Sequence, residues 1–155
     1  PWKGSTLPSG TFGLWAPDGF IAVSENESIM VADAAGIHTT STNWQDIPGF
    51  AINLTIEDSA AIFITARFNA RVRTSTDTNI VGYFRLLRNG VQLNLATIGI
   101  NTGGRNITLR TPVLCSYLDK RNAGTYEYKC QFSSISSGVE VSSFDRELII
   151  NVMKR

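Results

Sequence analysis

Two stretches alternate apolar and polar residues so strictly that they read as strands. In "GFAINLTIE" (49–57), Phe50, Ile52, Leu54 and Ile56 alternate with Ala51, Asn53, Thr55 and Glu57. In "AAIFITARFNARVR" (60–73), Ile62, Ile64, Ala66, Phe68, Ala70 and Val72 face one way. Phe63, Thr65, Arg67, Asn69, Arg71 and Arg73 face the other. Successive strand side chains point to opposite faces, so a period of two gives each strand one core face and one outer face.

The chain continues in this way. "IVGYFRLLRNGVQLNLATIGI" (80–100) reads as two strands joined at Asn89-Gly90, a short-hairpin signal because both residues tolerate positive φ. "RNITLRTPVLCSYL" (105–118) reads as a strand in which Pro112 marks a bulge or an edge. "GTYEYKCQF" puts Tyr126, Tyr128, Cys130 and Phe132 on one face, and "RELIINVMK" closes the pattern. No segment keeps helical periodicity over three turns. Around eight strands after Ile37 predict an all-β, antiparallel two-sheet jelly-roll sandwich.

Residues 1–36 differ. "PWKGSTLPSGTFGLWAPDGF" mixes three prolines and four glycines with Trp2, Phe12, Trp15 and Phe20. We read an irregular attachment segment that docks its rings, with short strands in "FIAVS" and "SIMVA", followed by a head domain over 37–155. The chain opens at Pro1 without an initiator Met, which predicts a processed product or an excised fragment.

Charge excludes some functions. The net charge is +1, so no strong field points to nucleic acid or an anionic membrane. No apolar run approaches the roughly 20 residues of a membrane span. Two cysteines and one histidine, His38, give no zinc site by themselves and predict no catalytic thiol. Asp46, Asp58, Asp77, Asp119 and Asp145 are scattered over predicted loops and strand ends, so no carboxylate pair stands out for glycoside hydrolysis. "NTGGRN" lacks the lysine and helix of a phosphate loop. We expect no enzyme and no cofactor. A polysaccharide lyase or sialidase ranks last.

An immunoglobulin domain is excluded by spacing. Tyr128 precedes Cys130 by two residues, as a corner tyrosine would. Cys115, however, lies only fifteen residues before Cys130, with no Trp between them.

Other pieces resemble a different family. "STNWQDIPGFAINLTIEDSAAIFITARFNARV", "GYFRLLRNGVQL", "GGRNITLRTPVLCSYLD", "AGTYEYKCQF" and "RELIINVMK" come in the order found in TNF/C1q-like trimeric jelly-roll domains of phage and other viral structural proteins. The likeness covers roughly 39–155. It implies a homotrimeric head domain of a virion protein, such as a tail fibre, head fibre or decoration protein. Such a domain would contact other virion proteins and a host-surface glycan or protein. The two cysteines and the 1–36 segment depart from the pattern. The alternative is a monomeric carbohydrate-binding module of sandwich fold.

Three sets of residues follow as candidates. Phe63, Tyr83 and Arg85 lie on outward strand faces and are expected at the trimer interface. Asp77, Asn79, Arg105 and Arg121 sit in or beside the polar loops 74–79, 101–106 and 119–124 and are expected to bind the ligand. Cys115 and Cys130 would lie opposite each other in a hairpin, or across the core on two sheets. A disulfide is expected in material kept outside a reducing cell, against two buried free thiols.

Overall fold

The computed structural model describes residues 12–16, 19–23, 27–76, 79–101 and 106–154; of 12–16, 19–23 and Lys154 it describes the backbone. β1 (Phe12–Ala16) and β2 (Gly19–Val23) pair antiparallel as a sheet of their own. Trp2 lies outside the described residues, as do the side chains of Phe12, Trp15 and Phe20, so the expected ring docking falls outside them too.

The sandwich is built from β3 (Glu27–Asp33), β4 (Ile37–Thr39), β5 (Gln45–Ile56), β6 (Ala60–Thr74), β7 (Asn79–Arg88), β8 (Val91–Asn101), β9 (Ile107–Arg121), β10 (Gly124–Ser134) and β11 (Val139–Lys154). One sheet runs β3-β11-β6-β9, with β4 also on β11; the other runs β5-β10-β7-β8. Every pairing is antiparallel. The eight strands from β4 to β11 form the expected jelly roll.

The sandwich starts inside the segment that the sequence sets apart. β3 bonds to β11 from Glu27 to Asp33, because Ile29 and Val31 share one face and pack on the core.

The alternating residues define that core. Phe50, Ile52, Leu54 and Ile56 of β5 and Ile62, Ile64, Ala66, Phe68, Ala70 and Val72 of β6 are all buried. They meet Ile80, Phe84 and Leu86 of β7 and Tyr128, Cys130 and Phe132 of β10. Four rings run through the middle: Phe50–Phe68 at 5.7 Å, Phe68–Phe84 at 5.1 Å and Phe84–Phe132 at 6.3 Å between centroids. Burying each such side chain contributes about 1.5–3 kcal/mol.

Asn89 (φ 45°) and Gly90 (φ 80°) make the tight turn of the β7–β8 hairpin. Pro112 resolves to the edge reading. β9 borders only β6 in its sheet, and Pro112 faces Asn69 without a register shift. The missing N–H therefore costs no ladder bond.

β9 and β10 are separated by two residues but are no hairpin; they belong to different sheets. The sandwich thus has two distinct ends. Thr74, Asn79, Ile107 and Val139 mark one, and Glu27, Ala60, Arg121 and Gly124 the other.

Candidate functional site

The outer face of the five-stranded sheet carries several exposed apolar side chains. Three rows cross it. Met30, Ile149, Thr65 and Ser116 form one; Ser28, Asn151, Phe63 and Leu118 the next; Ala32, Glu147, Arg67 and Leu114 the third. Met30 and Leu114 are each 59% exposed, Leu118 51% and Phe63 41%. Phe63 and Leu118 are cross-strand partners, so their side chains adjoin.

Farther along the same face the chemistry changes. Arg67 pairs with Glu147 at 3.0 Å, while Arg71 and Arg73 share Glu140 at 3.1 and 2.7 Å. Here β11 bulges. Phe144 faces Asn69 and Glu147 faces Arg67, so one extra residue is inserted, and Asp145 takes a φ of 43°. The bulge reverses the phase before it, so that Phe144 faces out. Arg146 keeps the inward phase of Leu148 and Ile150, is 1% exposed, bonded to the Asp33 carboxylate and 5.9 Å from the Phe50 ring centroid. Its Nε has no partner. Beside the bulge, Asn69, Arg71, Arg110, Pro112, Phe144 and Asp145 line a groove of about 440 Å³.

The four-stranded sheet presents a different outer face. Trp44 lies over it, its ring 6.3 Å from that of Tyr83 and 4.1 Å from the Arg85 guanidinium. Arg85 donates to Gln131 Oε1 from Nε at 2.8 Å and Nη2 at 2.5 Å. Gln131 Nε2 and Lys129 Nζ donate to Asp46 at 2.5 and 3.1 Å. Phe63, Tyr83 and Arg85 therefore do not share one surface. β6 and β7 follow each other in sequence but enter opposite sheets, so "outward" on one points away from "outward" on the other.

A buried carboxylate joins the sheets at the Arg121 end. Asp119 of β9 is 1% exposed. Arg88 Nη1 lies 3.0 Å from both its oxygens, Arg121 Nε 2.7 Å from Oδ1, and the Tyr128 hydroxyl donates at 2.9 Å to Oδ2. Burial pushes the carboxyl up, but the bonds from Arg88, Arg121 and Tyr128 outweigh it and hold the group below the ordinary carboxylate range. Burial, then the bond to Asp119, push the Tyr128 phenol up. The sequence reading placed Asp119 with the solvated turn residues. Counting by twos from Val113 through Cys115 puts it on the core face, and that was the available signal.

Cys115 and Cys130 are free buried thiols, so the expected disulfide is corrected in this structure. They occupy the inward faces of opposite sheets, across the core, and not the two sides of a hairpin. Burial raises both thiols, Cys115 to about 11.

The expected ligand residues are not gathered at one place. Asp77 and Arg105 lie outside the described residues. Asn79 is exposed, pairs with Asn101 and stands at the Thr74 end. Arg121 ends β9 at the other end, with its Nε committed to Asp119. Among the described residues, no cluster of three or more His, Cys, Asp or Glu side chains could hold a metal ion.

Comparison with known proteins bears on the fold. No protein-family model and no curated protein matches the chain. Solved structures similar to it include dimeric latent PorU from Porphyromonas gingivalis, with a TM-score of 0.51 and 9% identity over 85% of this chain. Another is VP2 in the subviral particle of infectious bursal disease virus, with a TM-score of 0.50 and 12% identity over 95% of this chain. The chain spans 13% and 38% of those two chains. At these identities the likeness is one of fold: the chain is a β-sandwich of the kind that a viral particle protein also contains.

Proposed function

We propose that the chain is a non-enzymatic binding domain of a virion protein, a TNF/C1q-like homotrimeric head used in host attachment or particle decoration. The observation that carries this reading is the uncovered apolar set Met30, Phe63, Leu114 and Leu118 on the outer face of the five-stranded sheet. Scattered surface hydrophobics are ordinary, but an adjoining pair such as Phe63 and Leu118, with Met30 and Leu114 on the same face, supports an interaction surface. A second copy of the chain is the simplest cover. The count of three comes from the sequence resemblance, and a heterologous contact that closes at three copies satisfies each patch once. Other virion proteins and a host glycan or protein are the remaining partners in this reading. Glu27 enters the sandwich at one end, so the opposite end, at Thr74 and Asn79, is assigned to host contact.

Sedimentation velocity at micromolar concentration tests it. The expected mass is three times 17.0 kDa. A monomer mass overturns the trimer and favours the single-copy carbohydrate-binding module.

A further inference from the structure

Arg71 of β6 stands directly opposite Arg110 of β9 on the outer face of the five-stranded sheet. Like charges in that position repel and destabilise a sheet, so the pair needs an anion. Arg71 is partly neutralised by Glu140 at 3.1 Å and also donates to Ser142 Oγ at 3.2 Å. That carboxylate is shared with Arg73. Among the described residues Arg110 has no ion-pair partner, and the Arg71 Nε is shut off from solvent without an acceptor. The surrounding groove is walled by Phe144 and Pro112 and holds Asn69, whose amide donates to Asp145 Oδ2 at 3.0 Å. The Phe144 ring is held in place. The Arg71 guanidinium lies 5.2 Å from its centroid, and a Cβ added to Gly36 would fall 2.4 Å from its Cε1.

We infer that this groove binds an acidic saccharide. Its carboxylate meets the planar donor fork of Arg110, its C–H face lies on Phe144 and Pro112, and its hydroxyls reach Asn69 and Asp145. Each part of the groove selects for that chemistry. A guanidinium matches a carboxylate in plane and charge. The apolar wall suits a sugar ring and offers nothing to a free anion. The Asp145 carboxylate accepts hydroxyl protons and repels a doubly charged phosphate. The volume lies within the range of small-ligand sites. The inference rests on the binding role proposed above for its setting, but on another part of the same sheet face. Arg71 is eight residues from Phe63 along β6, about 26 Å, while the Pro112 edge of the groove is two residues, about 7 Å, from Leu114, so the groove borders the apolar rows.

The test titrates the full chain with sialyllactose and with a galacturonate trisaccharide, against lactose and galactotriose, by ligand-observed NMR and calorimetry. Sedimentation of the same samples reports the assembly separately. One of the acidic probes is expected to bind at least tenfold more tightly than its neutral counterpart, and which one identifies the sugar class. Arg110→Gln, at an exposed position, is expected to lose at least tenfold in affinity with mass and folding unchanged. Gly36→Ala, which displaces the Phe144 ring, is expected to weaken binding of the same probe by a smaller factor. Equal affinity for acidic and neutral sugars, no binding of any of them, or undiminished binding by Arg110→Gln would overturn the inference. A fall in mass on Arg110→Gln would instead assign the arginine to a contact between copies, and the inference fails there too. A monomer that still binds the acidic probe would remove the trimer and leave the groove standing.

Discussion

On the four-stranded sheet, Tyr83 and Arg85 lie under Trp44 of their own chain, and Arg85 is bonded to Gln131. On the five-stranded sheet, Phe63 and Leu118 lie side by side and uncovered, with Met30 and Leu114 in the adjoining rows. Both faces put large side chains outside the core. One supplies cover over Tyr83 and Arg85 from the segment before β5, while Leu95 opposite Arg85 stays exposed; the other leaves Phe63 and Leu118 with no such cover among the described residues. Residue type alone does not separate these cases, since an aromatic ring opens each. What separates them is whether a neighbouring segment folds over the strand. A face already closed by its own chain contributes stability, and an open apolar face is available for assembly.

The comparison breaks most visibly at the open face. Phe63→Asp combined with Leu118→Asp is expected to convert the proposed trimer to a folded monomer, because both side chains point out of the sandwich. Analytical ultracentrifugation with circular dichroism decides it. A variant that stays trimeric with native stability would place the contact elsewhere.

Next in size is the joint between the sheets. Asp119→Asn keeps the shape but removes the charge facing Arg88 and Arg121. Breaking a buried ion pair costs about 3–5 kcal/mol, so a large fall in the unfolding midpoint is expected. The pH dependence follows from the lowered folded-state pKa of Asp119. Its contribution is full above the unfolded value of about 3.9 and is lost as the pH falls through the lower folded value. Denaturant melts of the parent should weaken below about pH 4, and Asp119→Asn should flatten that limb. Identical acid limbs would show that Asp119 is not held as the geometry implies.

The joint also shows how much could be read from residue order. Alternation gave most of the inward sets of β5 and β6, missing Ile47, Ala60 and Thr74, and Asn89-Gly90 gave the turn, because both signals are local. Which strands share a sheet is not local. "YLDKRNAGTYEYKCQF" looks like a hairpin, yet its two strands part into opposite sheets, and the parting brings Asp119 against Tyr128 from across the sandwich. The groove was hidden for the same reason. Arg71 and Arg110 are far apart in sequence and meet only through the β6–β9 register. Counting by twos back from Val152 puts Arg146 inward; what the count misses is the bulge at Asp145, which turns Phe144 out beside Asn69.

At the closed face, Trp44→Ala is expected to lower stability by about 1–3 kcal/mol, through lost burial and the lost contact with the Arg85 guanidinium. The sedimenting mass should stay that of the parent. This is the sharper half of the comparison, since Tyr83 and Arg85 were expected at the subunit interface from sequence. A change in mass on Trp44→Ala would return them to it. An unchanged melting temperature would show that Trp44 is not their cover.

The smallest effect is expected between the two faces, at the cysteines. Cys115 and Cys130 are buried on facing sheets, with burial raising both thiols and the neighbouring Cys115 raising Cys130 further. The thiolate is the reactive form. With a pKa of about 11, Cys115 is roughly one part in a thousand ionised at pH 8, before steric exclusion is counted. Native protein handled without reductant should therefore resist iodoacetamide, and unfolding it in denaturant should expose two alkylatable thiols by mass spectrometry. Adding reductant should leave the unfolding midpoint where it was, because no loop is closed by a covalent bond for it to open. A disulfide between these strands would reverse both results. Denatured but unreduced protein would take up no label, and reductant would lower the midpoint by up to about 3 kcal/mol of stability, the value for a loop of this size in the chain-entropy model. That outcome would mean the two sheets are held by a bond across the core in addition to the Asp119 joint and the packed rings, and the comparison of the outer faces would stand on a stiffer frame.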